Sequence, residues 1–151
     1  MRIDWKIKHF NSLSTKELLF IVNLRVKVFV IEQNCPYPEA DGLDSSSFHV
    51  ICKNNSNQLI ETARIILPSK LYVKYSIGKI VFRQEFRQIS IGKQLLQLCN
   101  SYLKKKLGAN SIHIPALKYL EEFYQSSNFK PINEFTQRDT HMSEYFGINL
   151  I

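Results

Sequence analysis

Ile77-Gly78-Lys79-Ile80-Val81-Phe82, followed by Arg83-Gln84-Glu85-Phe86-Arg87-Gln88-Ile89-Ser90 and then Ile91-Gly92, is the stretch whose reading decides the fold. The first six residues are short, apolar and β-branched, which predicts a central strand. The next eight turn the chain. From Ile91, the residues Leu95, Leu98, Cys99, Tyr102 and Leu103 recur at helical spacing with polar residues between them. A helix N-terminus exposes orphan N–H groups and a partial positive charge, so the junction of strand and helix is a candidate anion pocket. Arg83, Arg87 and Lys93 would steer a pyrophosphate toward it, and the Ser90 hydroxyl is placed to cap the helix. At the other end Lys104, Lys105 and Lys106 oppose the negative pole of the dipole, and Gly108 supplies a stop.

On the N-terminal side, Ile3, Trp5 and Ile7 alternate as in a strand, and Ser14-Thr15-Lys16-Glu17 forms a capping box that starts a helix. That helix is apolar on most sides through Leu18, Leu19, Ile21, Val22, Val26 and Phe29, so it should lie buried against a sheet. Two strands, near Phe48 to Lys53 and Gln58 to Leu67, are joined by Asn54-Asn55-Ser56-Asn57 and predict a hairpin. On the C-terminal side Ser111-Ile112-His113-Ile114 reads as a strand. Pro115 then opens a helix whose apolar stripe is Leu117, Leu120, Phe123 and Tyr124. Phe129 to Thr136 and His141 to Phe146 complete the strands. The order β-α-β-β-β-α-β-α-β-β predicts an α/β (α+β) fold, a mixed central β-sheet flanked by helices, in one domain spanning residues 1–151.

Composition bounds the same answer. A chain of 151 residues that is 44% hydrophobic is long enough for one core and too short for two. No secretory leader and no apolar run near eighteen residues is present, which predicts a cytoplasmic protein without membrane attachment. Cys35, Cys52 and Cys99 lack paired spacing, which argues against disulfides and against a metal site, and Cys52 and Cys99 lie on apolar faces. The net charge of +7 is scattered. Its one dense run, Lys104 to Lys106, ends a helix, so the charge predicts no nucleic-acid partner.

The motifs carry a resemblance. Arg87-Gln88-Ile89-Ser90-Ile91-Gly92 resembles the acyl-CoA pyrophosphate loop of the GNAT N-acetyltransferases, Gln/Arg-x-x-Gly-x-Gly/Ala, with Ser90 in place of the first glycine. Leu24-Arg25-Val26-Lys27-Val28-Phe29-Val30-Ile31-Glu32-Gln33-Asn34-Cys35-Pro36-Tyr37, then Asp41-Gly42-Leu43-Asp44 and His49, resemble the ElaA-like branch of that family. The likeness continues through Ala63-Arg64-Ile65, Phe123-Tyr124-Gln125-Ser126 and His141, nearly the whole chain. Three positions depart from the pattern. Leu117 replaces a frequent glutamine, Glu144 a methionine, and Asn128 a glycine whose left-handed backbone asparagine tolerates well.

The resemblance implies acetyl transfer from acetyl-CoA, as co-substrate, to a primary amine of a small molecule or peptide by direct attack, with no metal. It places the donor against Ile80, Val81, Phe82, Arg87, Gln88, Ile89, Ser90, Ile91, Gly92 and Lys93. Backbone N–H groups of Val81 and Phe82 would polarise the thioester carbonyl where the strand bulges. Tyr124 would protonate the departing thiolate, with a core tyrosine as the competing reading. Glu32 is the candidate base, a role that competes with an ion pair to Arg25 or Arg64. Gln33, Arg64 and His141 are implied on the acceptor side, and His141 is the next candidate base. His49 and His113 read as satisfied strand residues. Two rival readings stay open, an acyl-homoserine-lactone synthase-like acyltransferase, on Arg25, Phe29, Asp41, Asp44 and Arg64, and a non-catalytic acyl-CoA-binding or interaction protein. A homodimer is compatible with each.

Overall fold

The structure, a computed structural model, describes residues 2–34, 41–70, 73–87, 89–116, 120–132 and 144–150. The chain divides into two compact units, Met1–Ile66 with Lys79–Arg87, and Leu67–Gly78 with Gln88–Ile151. The order of strands and longer helices is the one the sequence predicts.

In the first unit β1 (Asp4–His9) pairs antiparallel with β2 (Phe48–Lys53), and β2 with β3 (Leu59–Ile66). The sheet runs β1-β2-β3-β4, with β4 spanning Ser76–Phe82. The predicted hairpin is therefore present. Its turn is pinned by the Asn54 side chain, which accepts from the N–H groups of Ser56 and Gln58, and Asn57 takes a left-handed φ of 61°. Pairing fixes the faces. Lys6, Ile51 and Thr62 share one, and Trp5, Cys52 and Glu61 share the other.

Helix α1 (Thr15–Arg25) starts at the predicted box: the Ser14 hydroxyl accepts from the Glu17 N–H at 3.0 Å, and Glu17 accepts from the Ser14 N–H at 2.9 Å. Ser14→Ala should lower stability by about 1 kcal/mol. A urea midpoint that moves with an unchanged slope would measure it. Ile21, Leu24 and Val28 pack with Ile51, Leu59 and Val81, so α1 and its continuation cover the Ile51 face of the sheet. Past Arg25 the helix widens, and Val26–Glu32 is a π-helical segment.

In the second unit α2 (Ile89–Lys106) buries Ile91, Leu95, Leu96, Cys99 and Leu103. Gly108 takes φ 67° as predicted, and the next residue, Ala109, donates its N–H to the Leu103 carbonyl at 2.9 Å. A three-stranded sheet runs β5-β7-β6, from β5 (Ser111–Ala116), β6 (Lys130–Ile132) and β7 (Glu144–Asn149), all antiparallel. A parallel bridge joins Tyr75 to Ile112. Antiparallel pairs with a parallel bridge make the predicted mixed sheet character. Helix α3 (Glu121–Gln125) ends where Asn128 takes φ 68° and the Phe129 N–H reaches back to the Tyr124 carbonyl at 3.1 Å.

Three local expectations are corrected. Pro115 lies in β5 opposite Tyr145, not in a helical turn; β5 is an end strand, where a residue without an N–H costs no ladder bond. Of the apolar stripe, Phe123 and Tyr124 lie in α3, Leu120 stands directly before it, and Leu117 lies outside the described residues. Strand β4 ends the four-stranded sheet rather than sitting at its centre, and Lys79, with φ 49°, interrupts its pleat. Ser90 is the second residue of α2, inside the first turn, so its hydroxyl is not the N-cap. Cys35, Leu117 and His141 lie outside the described residues, as does Gln88.

Candidate active site

A run of β-branched residues, Val26, Val28, Val30 and Ile31, weakens the ordinary helical repeat beyond Arg25. The Gln33 N–H accordingly bonds the Val28 carbonyl, five residues back, at 3.0 Å. Glu32 closes this widened turn. Its carboxylate is ion-paired with the Arg87 guanidinium, with side-chain exposures of 25% and 40%, so both groups keep contact with water. Sequence reasoning offered Arg25 or Arg64 as partners of Glu32. Both point elsewhere, and the actual partner is a residue proposed for the donor.

A second cation meets the same segment. Lys79 places Nζ 5.2 Å from the centroid of the Phe29 ring, within cation–π range. Lys79 is also the left-handed residue of β4, two positions ahead of Val81. Val81 is buried in the core, while Ile80 and Phe82 are half-buried. Arg83, expected to steer an anion, donates Nε to the Leu59 carbonyl at 2.6 Å, and its own N–H goes to Ile60 at 2.8 Å. It fastens the exit of β4 to β3. A short turn over Gln84–Phe86 then delivers Arg87, whose Nε faces the Phe82 carbonyl at 3.4 Å.

Arg25 and Arg64 belong to a buried ion cluster. Arg25 grips Asp44 through two nitrogens at 2.9 and 3.0 Å, and Arg64 Nη1 reaches Asp41 at 2.6 Å and Asp44 at 3.1 Å. Arg25 is 1% exposed and Arg64 4%; Arg64, expected on the acceptor side, holds the Asp41–Asp44 turn through Nη1 while its Nε has no partner among the described residues. Burial alone would raise the Asp44 carboxyl. The hydrogen bonds and charge of Arg25, then of Arg64, outweigh it and hold that carboxyl below its ordinary value. His49 is fully buried with Nε2 3.0 Å from the Asp44 carbonyl, its Nδ1 has no partner among the described residues, contrary to the satisfied reading, and burial lowers its pKa from the ordinary value.

In the second unit Tyr124 is buried in an aromatic nest. Its ring stacks on Phe146 at 5.4 Å and meets Phe123 and Phe129 edge-on at 5.2 and 6.0 Å. These contacts fix the plane of the phenol. Helix α2 begins at Ile89, within the Arg87–Gly92 motif, with Ile91 and Gly92 buried and Ser90 and Lys93 exposed. Gln33 is exposed directly after the π-helical segment.

Glu61 was overlooked in the sequence. It is fully buried on β3, and neither carboxylate oxygen has a hydrogen-bond partner among the described residues. Burial pushes its carboxyl up to about 9. Across the ladder Cys52 is buried as well, and burial, with the Glu61 and Asp4 carboxyls nearby, pushes that thiol up to about 12. Cys52 is an inert core residue, as expected. A charged letter inside the otherwise uncharged run Leu59-Ile60-Glu61-Thr62-Ala63 was the available signal for Glu61.

Among the described residues no cluster of three or more His, Cys, Asp or Glu side chains is arranged to hold a metal, and no helix is long and apolar enough to cross a membrane. No protein-family model matches the chain. Individual relatives do. Protein ElaA of Escherichia coli is 32% identical over 143 residues, 91% of this chain and 90% of the relative. The chain is an ElaA-like member of the GNAT acyl-CoA N-acyltransferase family.

UPF0039 protein sll0451 of Synechocystis, another relative of this ElaA-like chain, is 31% identical over 148 residues, covering 98% of the chain and 95% of the relative. The crystal structure of E. coli ElaA superposes with a TM-score of 0.81 at 30% identity, covering 97% of both chains. An acyl-CoA N-acyltransferase from Pseudomonas aeruginosa gives 0.81 at 28%, again over 97% of both. The mixed-sheet α/β fold read from the sequence is thus the GNAT fold. Campylobacter jejuni PseH in complex with acetyl coenzyme A shares that fold, with a TM-score of 0.63 at 18% identity.

Proposed function

We propose that this ElaA-like protein is an N-acetyltransferase that passes the acetyl group of acetyl-CoA to a primary amine by direct attack. The observation that carries the reading is the start of α2 at Ile89, inside the Arg87–Gly92 motif, so that first-turn amides occur where a diphosphate is expected. In this reading Arg87, Ser90, Gly92 and Lys93 bind the donor, the N–H groups beside Val81 polarise its carbonyl, Tyr124 protonates the thiolate and Glu32 accepts the proton of the amine.

Simple arithmetic ranks these groups. An amine of pKa ~10.4 is deprotonated in about one part in 2,500 at pH 7, which costs about 4.6 kcal/mol; an α-amine near ~8 costs about 1.4 kcal/mol. A thiol of pKa ~8.5 leaves with little help, and an acid adds about 10²-fold. Proton removal is the larger problem for lysine-like acceptors.

Thiol release from acetyl-CoA against polyamines, amino acids, aminoglycosides and peptide N-termini tests the reading. Tyr124→Phe should lower kcat about 10²-fold with an unchanged KM for acetyl-CoA. Glu32→Gln should reduce kcat/KM more for high-pKa amines than for α-amines. Equal losses on both classes would remove Glu32 as base, and donor binding without thiol release for any amine would make the protein a binder rather than a transferase.

A further inference from the structure

Between Glu61 and Glu121 the chain carries a single acidic residue, Glu85, and five of the lysines in that stretch are gathered by the fold. Within the second unit Tyr75 bridges parallel to Ile112 and its carbonyl accepts the His113 N–H at 2.9 Å, so the entrance of β4 lies beside the entrance of β5. The Tyr75 hydroxyl also donates to the Leu107 carbonyl, just past the end of α2, at 3.2 Å. Lys74 and Lys106 are the chain neighbours of the two residues so joined. Lys70, Lys74, Lys104, Lys105 and Lys106 are all exposed, and none is ion-paired among the described residues. The helix dipole accounts for lysines in the last turn of α2, but not for Lys70 and Lys74, which stand ahead of a strand. Val73, between them, is 79% exposed, the most exposed large apolar side chain among the described residues.

We infer that this end of the second unit docks on an anionic lipid surface, with the five lysines against phospholipid headgroups and Val73 entering the boundary of the acyl chains. Lipid fits better than nucleic acid. Lysine is a point charge that suits a fluid array of phosphates, whereas nucleic-acid recognition draws on the arginine fork, and no arginine occurs over residues 65–82 or 88–137. A bare valine among the lysines has no counterpart on a phosphate backbone, and it gains from leaving water at a bilayer. The surface is separate from the transferase reading: α2 is 18 residues long, so its lysine end stands about 27 Å from Ile89. Docking of this kind needs no spanning segment, and no helix among the described residues is long and apolar enough to supply one.

Co-sedimentation of the full chain with vesicles tests the docking. Wild type should bind vesicles of phosphatidylcholine and phosphatidylglycerol in equal parts, leave vesicles of phosphatidylcholine alone, and be released at about 1 M salt, where the screening length is about 3 Å. Lys104→Gln combined with Lys105→Gln and Lys106→Gln should weaken binding about a hundredfold, at about fivefold per lysine. Lys6→Gln combined with Lys16→Gln and Lys27→Gln removes the same charge from exposed positions of the first unit and should weaken it less than about threefold. Val73→Ser should weaken it about tenfold. The lipid preference and salt response of wild type do not depend on any variant folding. Binding that ignores phosphatidylglycerol, equal losses in the two triple variants, or tighter capture by poly-glutamate or single-stranded RNA than by the vesicles at the same salt overturns the lipid assignment. None of these outcomes bears on thiol release.

Discussion

Asp44→Ala should destabilise the fold by about 3–5 kcal/mol, because it strips a carboxylate from two buried guanidiniums. Arg25 and Arg64 are 1% and 4% exposed and Asp44 contacts both, so the deletion removes a carboxylate that two buried charges share. Asp41 still holds Arg64 in the variant. Urea unfolding followed by far-UV circular dichroism is the measurement. An instructive control is Lys8→Ala, which breaks the Lys8–Glu17 pair near the surface at 3.1 Å and should change stability by less than about 1 kcal/mol. If both variants shift the midpoint alike, the buried cluster is not what fastens the Asp41–Asp44 turn. The acid limb of stability follows from the same pair. Asp44 is held below its ordinary carboxyl value, so its contribution is fully present above the unfolded value and is lost as pH falls through the folded one.

Glu61→Leu should act in the opposite sense and be strongest above neutrality. The carboxyl is raised from 4.5 to about 9 by burial, so the folded chain retains a proton that the unfolded chain releases. Stability therefore falls as pH rises between those two values and levels off above the higher one. From pH 4.5 to pH 7 the loss amounts to about 3 kcal/mol, at about 1.4 kcal/mol per pH unit. Leucine abolishes that slope and fills the same space on the face shared with Trp5 and Cys52. Glu61→Gln should also flatten the slope but stay less stable than the leucine variant, since it keeps an unpartnered polar group in the core. Parallel pH–stability profiles for wild type and both variants would show that Glu61 is ionised in the folded chain.

What the sequence disclosed was local. A capping box is four consecutive residues, a hairpin turn is a run of Asn and Ser, and a left-handed helix end needs only Gly108 or Asn128. Each was legible because its physics is complete within a few positions. The ion partners were not. Arg25 and Asp44 are 19 positions apart and Arg64 and Asp41 are 23, so the choice among carboxylates depended on the sheet being assembled first. Pro115 misled because its fixed φ suits both a first helical turn and an end strand, and only the neighbouring strand decides between them. The π-helical segment hid in a β-branched run whose preference is for strand, a local preference overruled by packing of Val28 into the core and of Phe29 against it. For the candidate site, the residue types were readable and their pairing was not: nothing in the spacing of Glu32 and Arg87 announces that they touch.

The widened coil over Val26–Glu32 governs where the Glu32 carboxylate is aimed. Successive residues of a helix are rotated by about 100° around its axis, and a wide turn holds one residue beyond the ordinary count. Removing a single amino acid there would re-aim the terminal carboxylate by that angle while the Ser14 cap and the Ile21 and Leu24 anchors stayed in place. The segment works as a one-notch dial, set by chain length rather than by side-chain chemistry.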